Sequence, residues 1–133
     1  MDNSHGQNSI TEGHLPYQVQ ADFSLLGDDL VVLIYGGEKP HVGAVAVGIS
    51  GPSLKNPEAV SATTSVFTLP GHKEDELARK MAHSLAADLQ RNVVVTVGMH
   101  VDKITPQGIA VIKKNCNKIL KKLLAEIPGK TLT

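Results

Sequence analysis

Two runs of branched apolar residues constrain this chain more than anything else in it. They are Leu30-Val-Val-Leu-Ile-Tyr35 and Asn92-Val-Val-Val-Thr-Val-Gly-Met99. A strand covered on both faces reads as a continuous apolar run, because neither face needs polar residues. β-Branched side chains also suit the pleated backbone better than the crowded surface of a helix. Both runs are therefore expected to be central strands. Any fold for the chain must place them inside a sheet.

The neighbouring segments supply the rest of that sheet. Tyr17, Val19, Ala21 and Phe23 alternate with polar residues, which predicts a half-buried strand. Val42 to Ile49 reads as another strand, with Gly43, Ala44, Ala46 and Gly48 interleaved. Small residues there imply close approach by a subunit, a ligand or an ordinary packed helix. Ala62 to Leu69 has strong β-propensity and stops at Pro70-Gly71. The period then changes. Leu77, Met81 and Leu85 recur every fourth residue beside Ala78, Ala82 and Ala86, which predicts an amphipathic helix over about 73–90. Thr105-Pro106 is an N-cap and N1 pair opening a second helix to about Glu126. Its expected core side is Ile109, Ile112, Cys116, Ile119, Leu120, Leu123 and Ile127.

Residues 1–14 are polar and without periodicity, and read as a flexible N-terminal arm. Residues 15–133 then form one domain. The expected fold class is α/β: a single, largely antiparallel sheet with two long helices, in the order β-β-β-β-α-β-α.

Charge removes several functions. Thirteen Lys and Arg balance thirteen Asp and Glu, which argues against a dedicated nucleic-acid binder. Aromatic residues are only 3% of the chain, so there is no stacking platform for single strands. The lone cysteine, Cys116, excludes an internal disulfide and any zinc site of two or four cysteines. No apolar run is long enough to span a bilayer, and Met1-Asp-Asn-Ser-His-Gly6 does not resemble a secretory signal. A cytoplasmic protein with no membrane partner is expected.

No local catalytic signature is present. Three predicted strands instead end in loops carrying glycine or proline together with histidine: Gly36 to His41, Pro70 to Lys73, and Gly98 to Asp102. A strand-to-helix turn presents unpaired N–H groups and the positive end of a helix dipole, which attract phosphate or carboxylate. Gly71, His72 and Lys73 are candidate anion ligands, with hydroxyls from Thr63, Thr64 and Ser65 upstream. If the strands carrying these turns run parallel, both helix starts open on one pocket. Plain helix-start chemistry on a solvated rim is an equal alternative for His72 and Lys73. His41, His72, His100 and Asp102 are an alternative metal set, since histidine and carboxylate suit zinc or iron. Cys116 reads as a packing residue. His5, His14 and His83 are given no role.

Three segments together resemble the LpdD-type family. They are Ser61-Ala-Thr-Thr-Ser-Val-Phe-Thr-Leu-Pro-Gly-His-Lys-Glu-Asp-Glu-Leu-Ala-Arg-Lys80, Pro40-His-Val-Gly-Ala44, and Asn92-Val-Val-Val-Thr-Val-Gly-Met-His-Val-Asp102 followed by Ile104-Thr-Pro106. The resemblance covers about residues 17–127. It implies a non-catalytic chaperone that binds prenylated FMN and matures or delivers it to a UbiD-type aromatic acid decarboxylase of the gallate or hydroxybenzoate kind. The implied partners are the apo-decarboxylase, a flavin prenyltransferase and a second copy in a homodimer. The implied fold is similar to that of proteasome assembly chaperones. Under this reading Gly71, His72 and Lys73 hold the phosphate, and Gly43 to Gly48, with Met99 and His100 beside them, floor the ring. His41 lies at the same strand ends.

Two other function classes stay open at the level of sequence. One is a colourless assembly factor that docks by a sheet edge or by the basic helix surface of Lys113, Lys114, Lys118, Lys121 and Lys122. The other is a small metal-dependent hydrolase using His41, His72, His100 and Asp102.

Overall fold

The two apolar runs lie side by side at the middle of a six-stranded sheet. In the computed structural model, which describes residues 8–52, 60–69 and 74–130, the chain forms β1 (Asn8–Glu12), β2 (Val19–Leu26), β3 (Asp29–Gly37), β4 (Ala44–Pro52), β5 (Val60–Thr68), α1 (Asp75–Leu89), β6 (Val93–His100) and α2 (Pro106–Glu126). The sheet order is β1-β2-β3-β6-β4-β5. β3 and β6 pair in parallel, with Leu33 beside Thr96. The other pairings are antiparallel. One mixed, largely antiparallel α/β domain results, as the sequence predicts.

The N-terminal expectation needs correction. The expected order is present, but one further strand precedes it. Asn8–Glu12, read as part of a flexible arm, is β1, paired from Asn8↔Phe23 to Glu12↔Val19. Its composition hides it. An edge strand with one face to water needs few apolar residues, and here only Ile10 is buried. Glu12 completes the attachment through an ion pair with Lys122 of α2.

Both helices cover the same face of the sheet. α1 lays Ala78, Met81, Ala82, Leu85, Ala86 and Leu89 over β4, β5 and β6. α2 lays Cys116, Ile119, Leu120 and Leu123 toward β1 and β2. Beneath them Val19, Ala21, Leu30, Val32, Ile34, Val93, Val95 and Val97 form the aliphatic floor. The small residues of β4 belong to this packing. Ala44, Ala46 and Gly48 are buried beneath α1, and a Cβ on Gly48 would stand 2.5 Å from the Ala82 carbonyl oxygen. For Ala44, Ala46 and Gly48, packing of a helix on the sheet accounts for the small residues. Ile109 also departs from expectation: it is 42% exposed, because the first turns of α2 overhang the end of the sheet.

The opposite face of the sheet carries Val31 and Leu33 of β3, Val94 and Thr96 of β6, Val45, Val47 and Ile49 of β4, and Phe67 of β5. Among the described elements neither helix lies on this side.

Candidate functional site

Strand direction gathers the predicted loops. β3, β5 and β6 all run toward the end of the sheet where β4 begins. Both helices start there, so the parallel arrangement required for a shared pocket is present.

Glu74, the N-cap residue of α1, ties this end together. Its Oε1 lies 3.4 Å from His41 Nε2 and accepts from the Met99 N–H at 3.4 Å. The carboxylate also lies over Gly43, where a side chain would collide with it. Gly98 performs a similar service on β6: a Cβ there would strike the His41 carbonyl oxygen. Glycine at these two positions lets the His41–Gly43 segment cross the strand end closely.

Beside this cluster, His100 Nε2 stands 2.8 Å from Asp102 Oδ1. The Asp102 N–H donates to Glu38 Oε1 at 2.9 Å, and the Glu38 N–H donates to the His100 carbonyl at 2.7 Å. The hydrogen bond with His100, helped by the nearby Lys39 charge, holds the Asp102 carboxyl below its ordinary pKa of 3.8.

Between the starts of α1 and α2, above the end of β6, lies a cavity of about 730 Å³. Its apolar wall is Leu77, Met99, Val101, Ile104, Ile109 and Ile112. Its polar groups are Glu74, Glu76, Lys80, His100, Lys113 and Asn117. Lys80 Nζ donates to Asn117 Oδ1 at 2.8 Å, which links the two helices across one side of the cavity. Among the described residues no Phe, Tyr or Trp lines it. An aliphatic cavity edged by two lysines, two glutamates and a few other hydrogen-bonding groups can take a large apolar ligand that carries a polar end. A smaller cleft of about 380 Å³ lies beside it, against Thr64, Arg79, His83 and Ser84.

The site residues named from sequence divide into three groups. His41, Gly43, Met99 and His100 come together at the strand ends, with Met99 and His100 lining the cavity. Thr63 and Ser65 sit in register with Ile49 and Val47, on the sheet face away from the helices. Thr64 faces the helices, where its Oγ1 stands 3.3 Å from His83 Nδ1 in the smaller cleft. Gly71, His72 and Lys73 lie outside the described residues.

Among the described residues no three histidines, cysteines or carboxylates are grouped to hold a metal. Of the alternative metal set, His41 lies against Glu74 and His100 against Asp102, while His72 lies outside the described residues. Cys116 is fully buried, and burial pushes its thiol up to about 12, which leaves no thiolate for chemistry at neutral pH.

Sequence reasoning missed Glu74, Leu77, Lys80, Ile104, Ile109, Ile112, Lys113 and Asn117 as site residues. A signal existed. Glu76, Leu77 and Lys80 share one side of α1 at spacings of three and four, and Ile109, Ile112 and Lys113 do so on α2. These apolar members look the same as core residues in a periodicity reading.

Comparison with known proteins decides the family. The model of the prenylated flavin chaperone LpdD-like domain matches residues 13–128. The chain belongs to this family. It is also 27% identical over 117 residues to Protein LpdD of Lactiplantibacillus plantarum, an alignment covering 88% of this chain and 82% of that one. Among solved structures it is similar to a chain of a chaperone complex for yeast 20S proteasome assembly. That match has a TM-score of 0.52 and 20% identity, and covers 89% of this chain and 96% of the other. The second likeness is one of fold, and it agrees with the expected architecture. A chaperone family thus accounts for the chain, and among the described residues no helix is long and apolar enough to cross a membrane.

Proposed function

We propose that this family member binds prenylated FMN in the cavity between α1 and α2 and passes it to an apo-decarboxylase of the UbiD type. The observation that carries the reading is the aliphatic, lysine-edged cavity in a chain of the prenylated flavin chaperone family. Its volume falls within the ~300–1,000 Å³ range of sites that bury cofactor-sized ligands.

The residues fit the ligand's chemistry. Leu77, Met99, Ile104 and Ile112 offer apolar surface to the prenylated ring system, and Lys80 and Lys113 offer cations to the phosphate. The start of α1 suits a phosphate less well among the described residues. Glu74, Asp75 and Glu76 already complement its dipole with negative charge. His72 and Lys73 immediately precede them in sequence and remain candidates for a second pair of phosphate ligands.

Aliphatic walls also suit a carrier. Without aromatic stacking the complex stays dissociable, and a carrier must release its cargo. The bound cofactor supplies redox and addition chemistry to the recipient enzyme, while this chain's residues hold it, orient it and exclude water from it. The protein is thereby an accessory factor without turnover of its own. The flavin prenyltransferase is the donor in this scheme, and a second copy of the chain is its homodimer partner.

The absence of tryptophan allows a direct test. Ile109→Trp places one fluorophore at the cavity mouth. Its emission is expected to be quenched saturably by prenylated FMN and less strongly by FMN. Adding Lys80→Ala and Lys113→Ala should weaken binding at least tenfold, since a hydrogen bond to a charged group contributes about 1.5–3 kcal/mol. Unquenched emission in folded protein, or affinity unaltered by the lysine substitutions, would count against the site.

A further inference from the structure

The chain is neutral, but its charge is unevenly placed. α2 holds five lysines and one acidic residue, Glu126, while the rest of the chain holds eight basic and twelve acidic residues. With histidine neutral, the helix therefore has a net charge of +4 and the remainder −4. Lys114, Lys118 and Lys121 recur at spacings of four and three, and all three are exposed. They form an outward ridge opposite the buried Cys116, Ile119, Leu120 and Leu123. Lys113, on the flank of the same helix, lines the cavity, so the ridge begins at the cavity's edge.

The fold does not neutralise this ridge. Of the five lysines of α2, only Lys122 meets a carboxylate among the described residues, that of Glu12. Like charges three and four residues apart disfavour a helix, and Lys118 stands in that relation to Lys114, Lys121 and Lys122. The pattern works against stability, so stability does not account for it. From Lys113 to Lys121 is about 12 Å of helix, close to the Debye length of ~8–10 Å in physiological salt. The charges therefore act together on an approaching surface.

The residue types select the class of partner. All five cations of α2 are lysines. Lysine is a mobile point charge, whereas recognition of individual phosphates favours the planar fork of arginine. A helix that lies on a membrane surface needs an exposed apolar face beside its lysines. Here Cys116, Ile119, Leu120 and Leu123 are turned onto the sheet instead. Nucleic acid needs a basic field along its backbone, but this ridge is short and the rest of the chain is net negative. A folded protein with an acidic patch fits best, met by screened and reversible attraction.

We infer that the lysine ridge of α2 docks an acidic surface of the protein that receives the cavity's ligand, so that encounter turns the cavity toward its recipient. Complementary charge of this kind speeds encounter more than it prolongs the complex. That suits a carrier, which must part from its partner after release. The partner's being a recipient of prenylated FMN rests on the proposed function, whereas the attraction to an acidic protein surface does not.

Biolayer interferometry of the full chain, free of flavin, against an apo-decarboxylase of the UbiD type tests the ridge at low and high salt. The association rate is expected to fall about tenfold from low to high salt, because the attraction is screened. Lys118→Glu should lower the low-salt rate about tenfold, and Lys118→Arg should leave it unchanged. Lys118→Glu should also raise Tm, since it replaces repulsion with an opposite-charge pair to Lys122. None of Lys114, Lys118 and Lys121 lines the cavity. Lys118→Glu added to the Ile109→Trp protein should therefore leave its affinity for prenylated FMN unchanged. Absence of association overturns the proposal, as does a rate indifferent to salt or a folded Lys118→Glu protein that associates like the wild type. Equal or tighter binding to phosphatidylglycerol vesicles or to duplex DNA also overturns it. Ridge-dependent association by a chain that never binds flavin supports the ridge and refutes only the cofactor reading. Flavin binding without association refutes the ridge alone.

Discussion

Arg91 is one of two buried polar residues among those described, and it shows how a single side chain fastens distant segments. Its Nε donates to the Pro128 carbonyl at 3.0 Å and its Nη1 to the Asp28 carbonyl at 2.8 Å. The turn between β2 and β3 is thereby tied to the chain beyond α2. Arg91→Ala is expected to cost about 2–3 kcal/mol, because two partly buried carbonyls lose a charged donor together. Urea denaturation with an unchanged m-value would check it. Asp22 gives a prediction in pH. Burial pushes its carboxyl up, but hydrogen bonds from Ser9, Tyr35 and Gln20 outweigh this, so its pKa lies below 3.8. A depressed folded value means stability that is complete above the unfolded pKa and is lost as pH falls through the folded one. Asp22→Asn should therefore lower stability at neutral pH and flatten the acid limb below about pH 4. An acid limb unaltered by the substitution would contradict the assignment.

Most elements were legible because their periods differ. The all-apolar runs could only be central strands, and α1 announced itself through Leu77, Met81 and Leu85. Thr105 was legible as a cap, and its Oγ1 does accept from the Gly108 N–H at 3.0 Å. β1 was not legible, since an edge strand with Ile10 as its only buried residue has no periodic signature. The cavity was hidden for a related reason. Ile109 and Ile112 continue the apolar stripe of α2 beyond the end of the sheet, and nothing local marks where the core stops. His41 and His100 were found as loop residues, whereas Glu74, which binds the strand ends together, looked like one more acid in a first turn. Its place in the element gives a test. Gly98→Ala would set a Cβ against the His41 carbonyl and should destabilise by about 1–3 kcal/mol, as overpacking against fixed neighbours does. It should also displace the His41–Gly43 segment that Glu74 covers, which thermal unfolding and amide exchange at Gly43 would read together.

At the scale of the molecule, the helix-covered side of the sheet builds the core and, at the ends of β3, β5 and β6, the cavity. Family membership is established by the match over residues 13–128, and the cofactor reading rests on the cavity as well as on that kinship. The measurement that tests it most directly is an equilibrium titration of the unmodified full chain with prenylated FMN, read by visible absorbance and followed by gel filtration, with FMN as control. The account predicts saturation at one prenylated FMN per chain, a flavin spectrum that co-elutes with the protein, and weaker binding of FMN. Folded protein that elutes colourless after exposure to either flavin would contradict it.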